Sequence, residues 1–261
     1  MRAYCSRHFS FLVILVIFFV TAVSCKKEGS ADNNMAGNSD LKIEFKAVVD
    51  NNVLITDKTY QNAFGEDYSV KTFKFYIHGV ELSDSRANSI VKLDKNDHYL
   101  VNTNDGSAAS VILHVSPSTY DGINFIVGVD STRNTSGAQT GALDPAQGMF
   151  WTWSTGYIMA KLEGNSPVAT TPNNVIQYHI GGFKANESVL RRVSLKFPSG
   201  LLSNVKRGSQ STVTIFADIN RWFSNSVRIS QTPVVMTPGT LAMQIADNYA
   251  RMFTVVDIVN E

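Results

Sequence analysis

The feature that most constrains this chain is an alternation of apolar and polar side chains with a period of two residues. Such alternation is typical of strands that have one buried and one solvated face. It recurs over residues 41–46, 70–82, 123–129, 157–162, 175–180, 189–197 and 212–217. Many short strands separated by turn signals predict an all-β protein, an antiparallel β-sandwich.

Short helices interrupt the strand pattern in two places. Residues 218–223 place three apolar side chains on one side of a turn: Ile219, Trp222 and Phe223. Near the C-terminus, Thr237 can cap a helix with Pro238 at its first position. Apolar residues then follow at helical spacing, namely Leu241, Ile245, Tyr249 and Met252. We expect a short helix and a C-terminal helix packed on the sandwich.

The N-terminus has the pattern of an export signal. Arg2 and Arg7 precede a mostly apolar run over residues 9–23, which is too short for a comfortable membrane span of about 20 residues. The run ends at a sequence (AVSC) that resembles the lipobox of bacterial lipoproteins. We therefore predict a signal peptide over residues 1–24, a lipid on Cys25, a polar flexible tether over residues 25–40 and one domain over residues 41–261. A buried core helix is the alternative interpretation of the apolar run.

This leader predicts where the protein is located and, through its cysteines, which kinds of site the domain lacks. A lipidated Cys25 anchors the protein in the cell envelope, at the periplasmic or surface face of the outer membrane. The only other cysteine, Cys5, lies in the leader, so disulfides and thiolate metal sites are excluded from the domain. The 23 basic and 22 acidic residues nearly balance, which gives no indication of a nucleic-acid partner.

Common catalytic signatures are absent from the sequence. It has no nucleophile elbow (GxSxG), zinc-protease motif (HExxH), Walker loop, dinucleotide loop (GxGxxG) or CxxC pair. We therefore expect a protein that is not an enzyme. The histidines outside the leader are His78, His98, His114 and His179, and any one of them is more commonly a surface or satisfied interior residue than a metal ligand.

Residues 120–164 differ in composition from the rest of the domain. A polar, glycine-rich loop leads into an aromatic stretch in which Trp151 and Trp153 would share one face of an extended strand. A buried aromatic layer is the ordinary interpretation of such a pair. In the loop, Asp130, Asn134 and Asp144 carry oxygens that could bind a hard cation such as calcium, although side chains of this kind more often cap turns.

These residues carry a resemblance to a known family. The loop (GVDSTRNTSGAQTGALDP, residues 128–145), the aromatic stretch (GMFWTWSTGY, residues 148–157) and the segment YHIGGF (residues 178–183) look like the MbnP-like family, including its lipoprotein forms in Bacteroidota. Upstream, residues 60–66 and 73–77 also fit. The family is named for a periplasmic protein encoded beside the copper chelator methanobactin.

The resemblance implies a copper site built without cysteine. In copper-binding members, a dihaem partner of the cytochrome c peroxidase type oxidises one tryptophan to kynurenine, which binds copper together with two histidines. Carried over to this chain, Trp151 or Trp153 is the candidate for oxidation and His179 is a candidate ligand. No motif selects the second histidine among His78, His98 and His114.

Two functions of different classes remain open from the sequence. The first is a lipid-anchored copper-binding or copper-handling protein. The second is a surface lipoprotein that binds a glycan or a protein, with the tryptophans forming an exposed stacking platform or simply part of the core. An enzymatic function is the weakest of the interpretations, because no nucleophile and base stand out together.

Overall fold

The computed structural model describes residues 39–94, 97–104, 108–151 and 156–261. The predicted signal peptide, Cys25, the predicted tether up to residue 38 and Trp153 lie outside these residues. Within the described ranges, we find no helix with the length and apolar character needed to cross a bilayer.

The described residues form mainly strands, with two α-helices and several single-turn 3₁₀ helices. In chain order the strands are β1 (Asp40–Val49), β2 (Asn52–Val53), β3 (Tyr60–Gln61), β4 (Asp67–Asp84), β5 (Ser89–Lys92), β6 (His98–Asn102), β7 (Ala109–His114), β8 (Ser118–Tyr120), β9 (Gly122–Val127), β10 (Ala160–Asn165), β11 (Val175–Ile180), β12 (Arg191–Lys196), β13 (Ser203–Val205), β14 (Gln210–Asp218), β15 (Val234–Val235) and β16 (Phe253–Asn260). The α-helices are α1 (Ser131–Thr135) and α2 (Thr240–Tyr249), and the 3₁₀ helices are Gly141–Leu143, Pro145–Gln147, Pro172–Asn174 and Ile219–Phe223.

These strands form the predicted β-sandwich. One sheet has the order β16-β14-β1-β2, with β7 also paired to β1; the other has the order β12-β9-β4-β10-β11-β15, with β3, β5 and β6 also paired to β4. Most pairs are antiparallel as predicted, but β1 pairs with β14 and β11 pairs with β15 in parallel. The strands of each parallel pair are distant in sequence, so no hairpin turn dictates their relative direction.

Aromatic side chains from both sheets meet in the core. The ring of Phe45 on β1 lies 5.6 Å from that of Phe75 on β4 and 5.9 Å from that of Phe125 on β9, in edge-to-face contacts. Phe253 on β16 completes this cluster, 5.4 Å from Phe75. All four rings are buried. The alternation of the sequence therefore places the apolar face of each strand inward and leaves the other face for the site described below.

The helix predictions are confirmed in place but not in every boundary. Asp218 accepts a hydrogen bond from the Asn220 amide and begins the 3₁₀ helix Ile219–Phe223, as the sequence indicates. The predicted cap at Thr237 and Pro238 is wrong, because α2 begins at Thr240 with Gly239 at the cap position. The helix α2 packs on the 3₁₀ helix, where Asn248 donates to the backbone oxygen of Trp222. The chain then continues into strand β16, which is not among the alternating segments of the sequence.

The strand pairing shows two further features that the alternation alone does not predict. Strands β6 and β7 are consecutive in the chain but do not form a hairpin with each other, since β6 pairs with β4 in one sheet and β7 pairs with β1 in the other. The aromatic stretch is not one continuous strand. Phe150 and Tyr157 form an antiparallel bridge, so the chain reverses direction between them.

Candidate metal centre

The candidate site lies where two strands meet along one edge of β4. The backbone N–H of Tyr76 donates to Met159 just before β10, and its carbonyl accepts from Gly128 just after β9. Because the N–H and C=O of a strand residue point toward the same neighbour, β9 and β10 lie end to end along this edge. The long segment between them therefore leaves the sheet at Gly128 and returns at Met159, close to the middle of β4.

Two histidines face each other across the opposite edge of β4. His78 on β4 and His98 on β6 are directly paired in the antiparallel register. Their imidazole rings are stacked, with centroids 4.8 Å apart and planes inclined by 15°. The His78 side chain is buried, with 5 % of the residue exposed. Strand alternation puts these rings on the outer face of the sheet, away from Phe75 and Ile77 in the core.

Asp130 joins this pair from the segment that follows β9. Its Oδ1 accepts the backbone N–H of Arg133 at 3.1 Å and so caps α1, while its Oδ2 lies 3.0 Å from Nε2 of His98. One ligand atom from each of His78, His98 and Asp130 can be chosen such that all three lie within 4.8 Å of one another. Two imidazoles and a carboxylate therefore converge on one small volume.

The hydrogen bonding of His78 fixes which nitrogen is available. Its Nδ1 lies 2.9 Å from the carbonyl oxygen of Gly128. Since a carbonyl can only accept, Nδ1 carries the proton and the lone pair of the neutral ring is on Nε2. A backbone carbonyl that orients an imidazole in this way is the usual outer-shell arrangement of a metal-binding histidine.

Electrostatics favour the protonation states that a metal requires. Burial lowers the pKa of His78, and the neighbouring His98 lowers it further, against the opposing effects of Gly128 and Asp130. Burial alone would raise the pKa of Asp130, but the amide of Arg133 and the imidazole of His98 outweigh it, so this pKa is lowered. Near neutral pH the site therefore presents a neutral His78 and an ionised Asp130.

Such a donor set suits a transition metal. Imidazole is a good ligand for copper, zinc, nickel and iron, whereas a hard cation such as calcium prefers oxygen ligands alone. Calcium also lacks support in the loop, where the predicted ligands bond separate backbone amides. The side chains of Asp130, Asn134 and Asp144 accept from Arg133, Tyr157 and Ala146, respectively. The turn-capping interpretation is confirmed for Asp130 and Asp144.

Asn134 connects Asp130 of the candidate metal centre to the aromatic stretch. Its amide nitrogen donates to the backbone oxygens of Val129 and Asp130 at 2.6 and 2.9 Å. Its amide oxygen accepts the N–H of Tyr157 at 2.8 Å. A buried side chain thus holds the backbone of Asp130 against the far end of the loop.

His179 and Trp151 lie together elsewhere on the same outer face. His179 Nε2 is 2.6 Å from Oε1 of Glu163. Trp151 is buried, with 4 % exposed, and its indole lies over the backbone of Gly181, where an added Cβ would come within 2.3 Å of the ring. Gly181 is two residues beyond His179 and so shares its face of the strand. The indole of Trp151 therefore packs at the end of β11, two residues beyond His179.

The predicted second histidine, however, does not join His179. His179 pairs with Lys161, which pairs with Lys74, four residues before His78. At about 3.3 Å per residue and about 4.8 Å between strands, the Cα atoms of His78 and His179 are about 16 Å apart. That is too far for both imidazoles to bind one metal ion through bonds of about 2 Å. His114 lies on the other sheet, with Nδ1 2.8 Å from Asp40.

The sequence offers Asp130 as a turn cap or as one of several loop oxygens for a hard cation. The fold shows that it caps α1 and also places its carboxylate beside two imidazoles. The sequence contained one usable signal, since both His78 and His98 lie in alternating segments. Only the pairing of β4 with β6 shows that they are opposite each other.

Comparison with known proteins identifies the family of this chain. The sequence model of the MbnP family matches residues 38–237, which is most of the chain. The chain belongs to the MbnP family. A solved structure, MbnP from Methylosinus trichosporium, matches at 16 % identity with a TM-score of 0.48, covering 78 % of this chain and 83 % of that one. Among curated protein sequences, none matches. The family resemblance drawn from the loop and the aromatic stretch is thereby confirmed.

Proposed function

We propose that this MbnP family protein binds copper through His78, His98 and Asp130 and handles the metal without catalysing a reaction. The observation that carries the proposal is the convergence of two imidazoles and one carboxylate within 4.8 Å. Copper is the metal that the family resemblance implies, and it accepts both kinds of ligand. With three protein ligands, copper would keep room for a further ligand, which suits a metal that is passed on.

Copper would compete with protons for His98 and Asp130. Nε2 of His98 and Oδ2 of Asp130 are 3.0 Å apart, a hydrogen-bonding distance. A neutral His98 that bound copper through Nε2 would carry its proton on Nδ1, so the hydrogen bond to Asp130 would be lost without net release of that proton. Because protonated imidazole and carboxyl groups do not bind the metal, copper binding should weaken as the pH falls.

The proposal includes two further features of this protein. One is oxidation of Trp151 or Trp153 to kynurenine by a dihaem partner, which peptide mass spectrometry of protein from its own organism would detect. The other is the lipid on Cys25, which metabolic labelling with a fatty acid would detect and Cys25→Ala would abolish. A glycan-stacking role is not supported at Trp151, whose indole is buried.

The test is a copper titration in competition with a chelator of known affinity. We expect tight binding of one copper ion by the unmodified domain, weakened on the order of 100-fold, or about 2.7 kcal/mol, by His78→Ala or His98→Ala. His114→Ala is the matched control, because that histidine is exposed on the other sheet. Binding that survives both substitutions but is lost in His179→Ala would move the site to the neighbourhood of Trp151.

A further inference from the structure

A cleft opens beside the candidate metal centre. Its volume is about 710 Å³, far more than a metal ion needs and within the range of small-molecule sites. His78 and Asp130 line one part of it, together with the hydroxyl residues Ser131 and Thr132. A ligand in this cleft would therefore lie against the metal-binding side chains.

Positive charge prevails among the side chains that line the cleft. Lys92, Arg133 and Arg192 oppose the carboxylates of Glu81 and Asp130. A hydrogen bond from Arg192 lowers the pKa of Glu81, and Lys92 adds to this effect from 3.5 Å, so Glu81 is ionised at neutral pH. A bound divalent copper ion would add two more positive charges. The loaded cleft therefore favours an anion.

Arg133 is the cation best placed to contact such an anion. Its backbone N–H binds Asp130, and its side chain lines both this cleft and the smaller cavity beside His98. The side chain is positioned by Nη1, which donates to Oε1 of Gln139 at 3.0 Å. A guanidinium group has five N–H donors in a planar fork that matches a carboxylate.

Part of the remaining lining is apolar. Leu93 and Ile126 contribute to the wall, and Gly79 has no side chain to fill the space. Mixed apolar and cationic lining indicates a ligand that has both a hydrocarbon part and an acidic group, rather than a simple inorganic anion.

We propose that the cleft binds a small organic carboxylate that coordinates the copper ion directly and is held by Arg133. This inference rests on the proposed copper site. Three protein ligands would leave copper with room for a further ligand, and His78 and Asp130 line the cleft from which a carboxylate oxygen would supply it. Its hydrocarbon part contacts Leu93 and Ile126.

Benzoate is a suitable probe, because it combines a carboxylate with an apolar ring and chelates copper weakly on its own. It is titrated into the Cu(II)-loaded domain while the electron paramagnetic resonance spectrum of copper is recorded. We expect a saturable change in the copper hyperfine splitting with benzoate and none with benzamide, its uncharged analogue. Arg133→Gln should weaken the benzoate effect at least 10-fold, whereas Arg207→Gln, an exposed arginine outside the cleft, should leave it unchanged.

Copper affinity and thermal unfolding are measured for every variant, which separates the two proposals. Failure of the wild-type domain to bind copper at this site would overturn the proposed function. Copper binding without any spectral response to benzoate, or an equal response in Arg133→Gln, would overturn only the carboxylate site. If Arg133→Gln fails to fold, Lys92→Gln is tested in its place. We expect Lys92→Gln to weaken benzoate binding by about 3-fold, a smaller loss because Lys92 is more exposed. An unchanged benzoate affinity in Lys92→Gln would then overturn the recognition of the carboxylate by cationic side chains.

Discussion

His78 and His98 are direct partners across β4 and β6, with their rings stacked 4.8 Å apart. Two imidazolium ions at this separation would repel each other, so the pair favours at least one neutral ring. Asp130 faces the same pair and is ionised near neutral pH. The two imidazoles and the carboxylate therefore form a group that suits a metal cation.

The charge of Asp130 can be separated from its structural role. Asn caps helices about as well as Asp, so Asp130→Asn should keep α1 in place. Loss of the carboxylate should nevertheless weaken copper binding on the order of 10-fold or more, about 1.4 kcal/mol. The measurement is a competition titration together with thermal unfolding. Asp144→Asn is the control, because Asp144 caps a neighbouring turn and is not part of the candidate metal centre. Equal copper affinity in the two variants would contradict the role of Asp130.

Asn134 should stabilise both the fold and the position of Asp130 in the candidate metal centre. Asn134→Ala removes three hydrogen bonds to buried or half-buried backbone groups, at Val129, Asp130 and Tyr157. We expect unfolding free energy to fall by about 2 to 4 kcal/mol, measured by urea denaturation. Asn102→Ala, at an exposed position, should cost less than about 1 kcal/mol. A cost for Asn134→Ala as small as that of the control would show that the loop is held by other contacts.

The contact between Gly181 and Trp151 should show strong coupling in a double-mutant cycle. A methyl group at residue 181 would lie 2.3 Å from the six-membered ring of the indole and 3.0 Å from the backbone oxygen of Tyr157. We expect Gly181→Ala to destabilise the domain by about 1 to 3 kcal/mol. In the Trp151→Phe background, where the outer ring is missing, the added cost should be smaller. Strictly additive effects in denaturant unfolding would mean that the indole does not occupy this position.

Glu163 should make stability depend on pH in the acidic range. The hydrogen bond from His179 lowers the pKa of Glu163 from 4.5 to about 2, with Lys161 assisting and burial opposing. A depressed carboxyl pKa stabilises the fold above the unfolded value of 4.5, and this contribution is lost as the pH falls toward 2. Glu163→Gln should therefore cost about 2 kcal/mol at pH 7.

The pH profile provides the check on that prediction. Unfolding free energies of wild type and Glu163→Gln should differ at pH 7 and converge as the pH approaches 2. Glu261→Gln, at the exposed end of the chain, should follow wild type throughout. A constant difference between wild type and Glu163→Gln over the whole range would rule out an ionisation effect.

The strand positions were predictable because burial follows the period-two pattern closely. Strand β11 occupies the predicted residues 175–180, and β4 extends the predicted segment by only a few residues at each end. Strand β16 was missed because its burial is less regular, with two adjacent exposed residues at Val256 and Asp257. The boundary of α2 was missed because Thr237 and Pro238 resemble a helix start, whereas the chain turns at Gly239, which has a φ of 141°.

The candidate site was less predictable, because its three side chains come together through long-range pairing. His78, His98 and Asp130 lie in three separate segments, and no spacing rule connects them. The resemblance pointed instead to His179 and the tryptophans, which are local in sequence. A reader of the sequence could have found the histidine pair only by aligning β4 with β6 in the correct register.

Pulsed electron paramagnetic resonance of the Cu(II)-loaded domain tests the central claim most directly, because it counts the imidazole rings coordinated to copper. We predict two coordinated imidazoles in wild type and in His179→Ala, and one in each of His78→Ala and His98→Ala. Two coordinated imidazoles that persist in His78→Ala and His98→Ala would contradict the account and place the copper elsewhere.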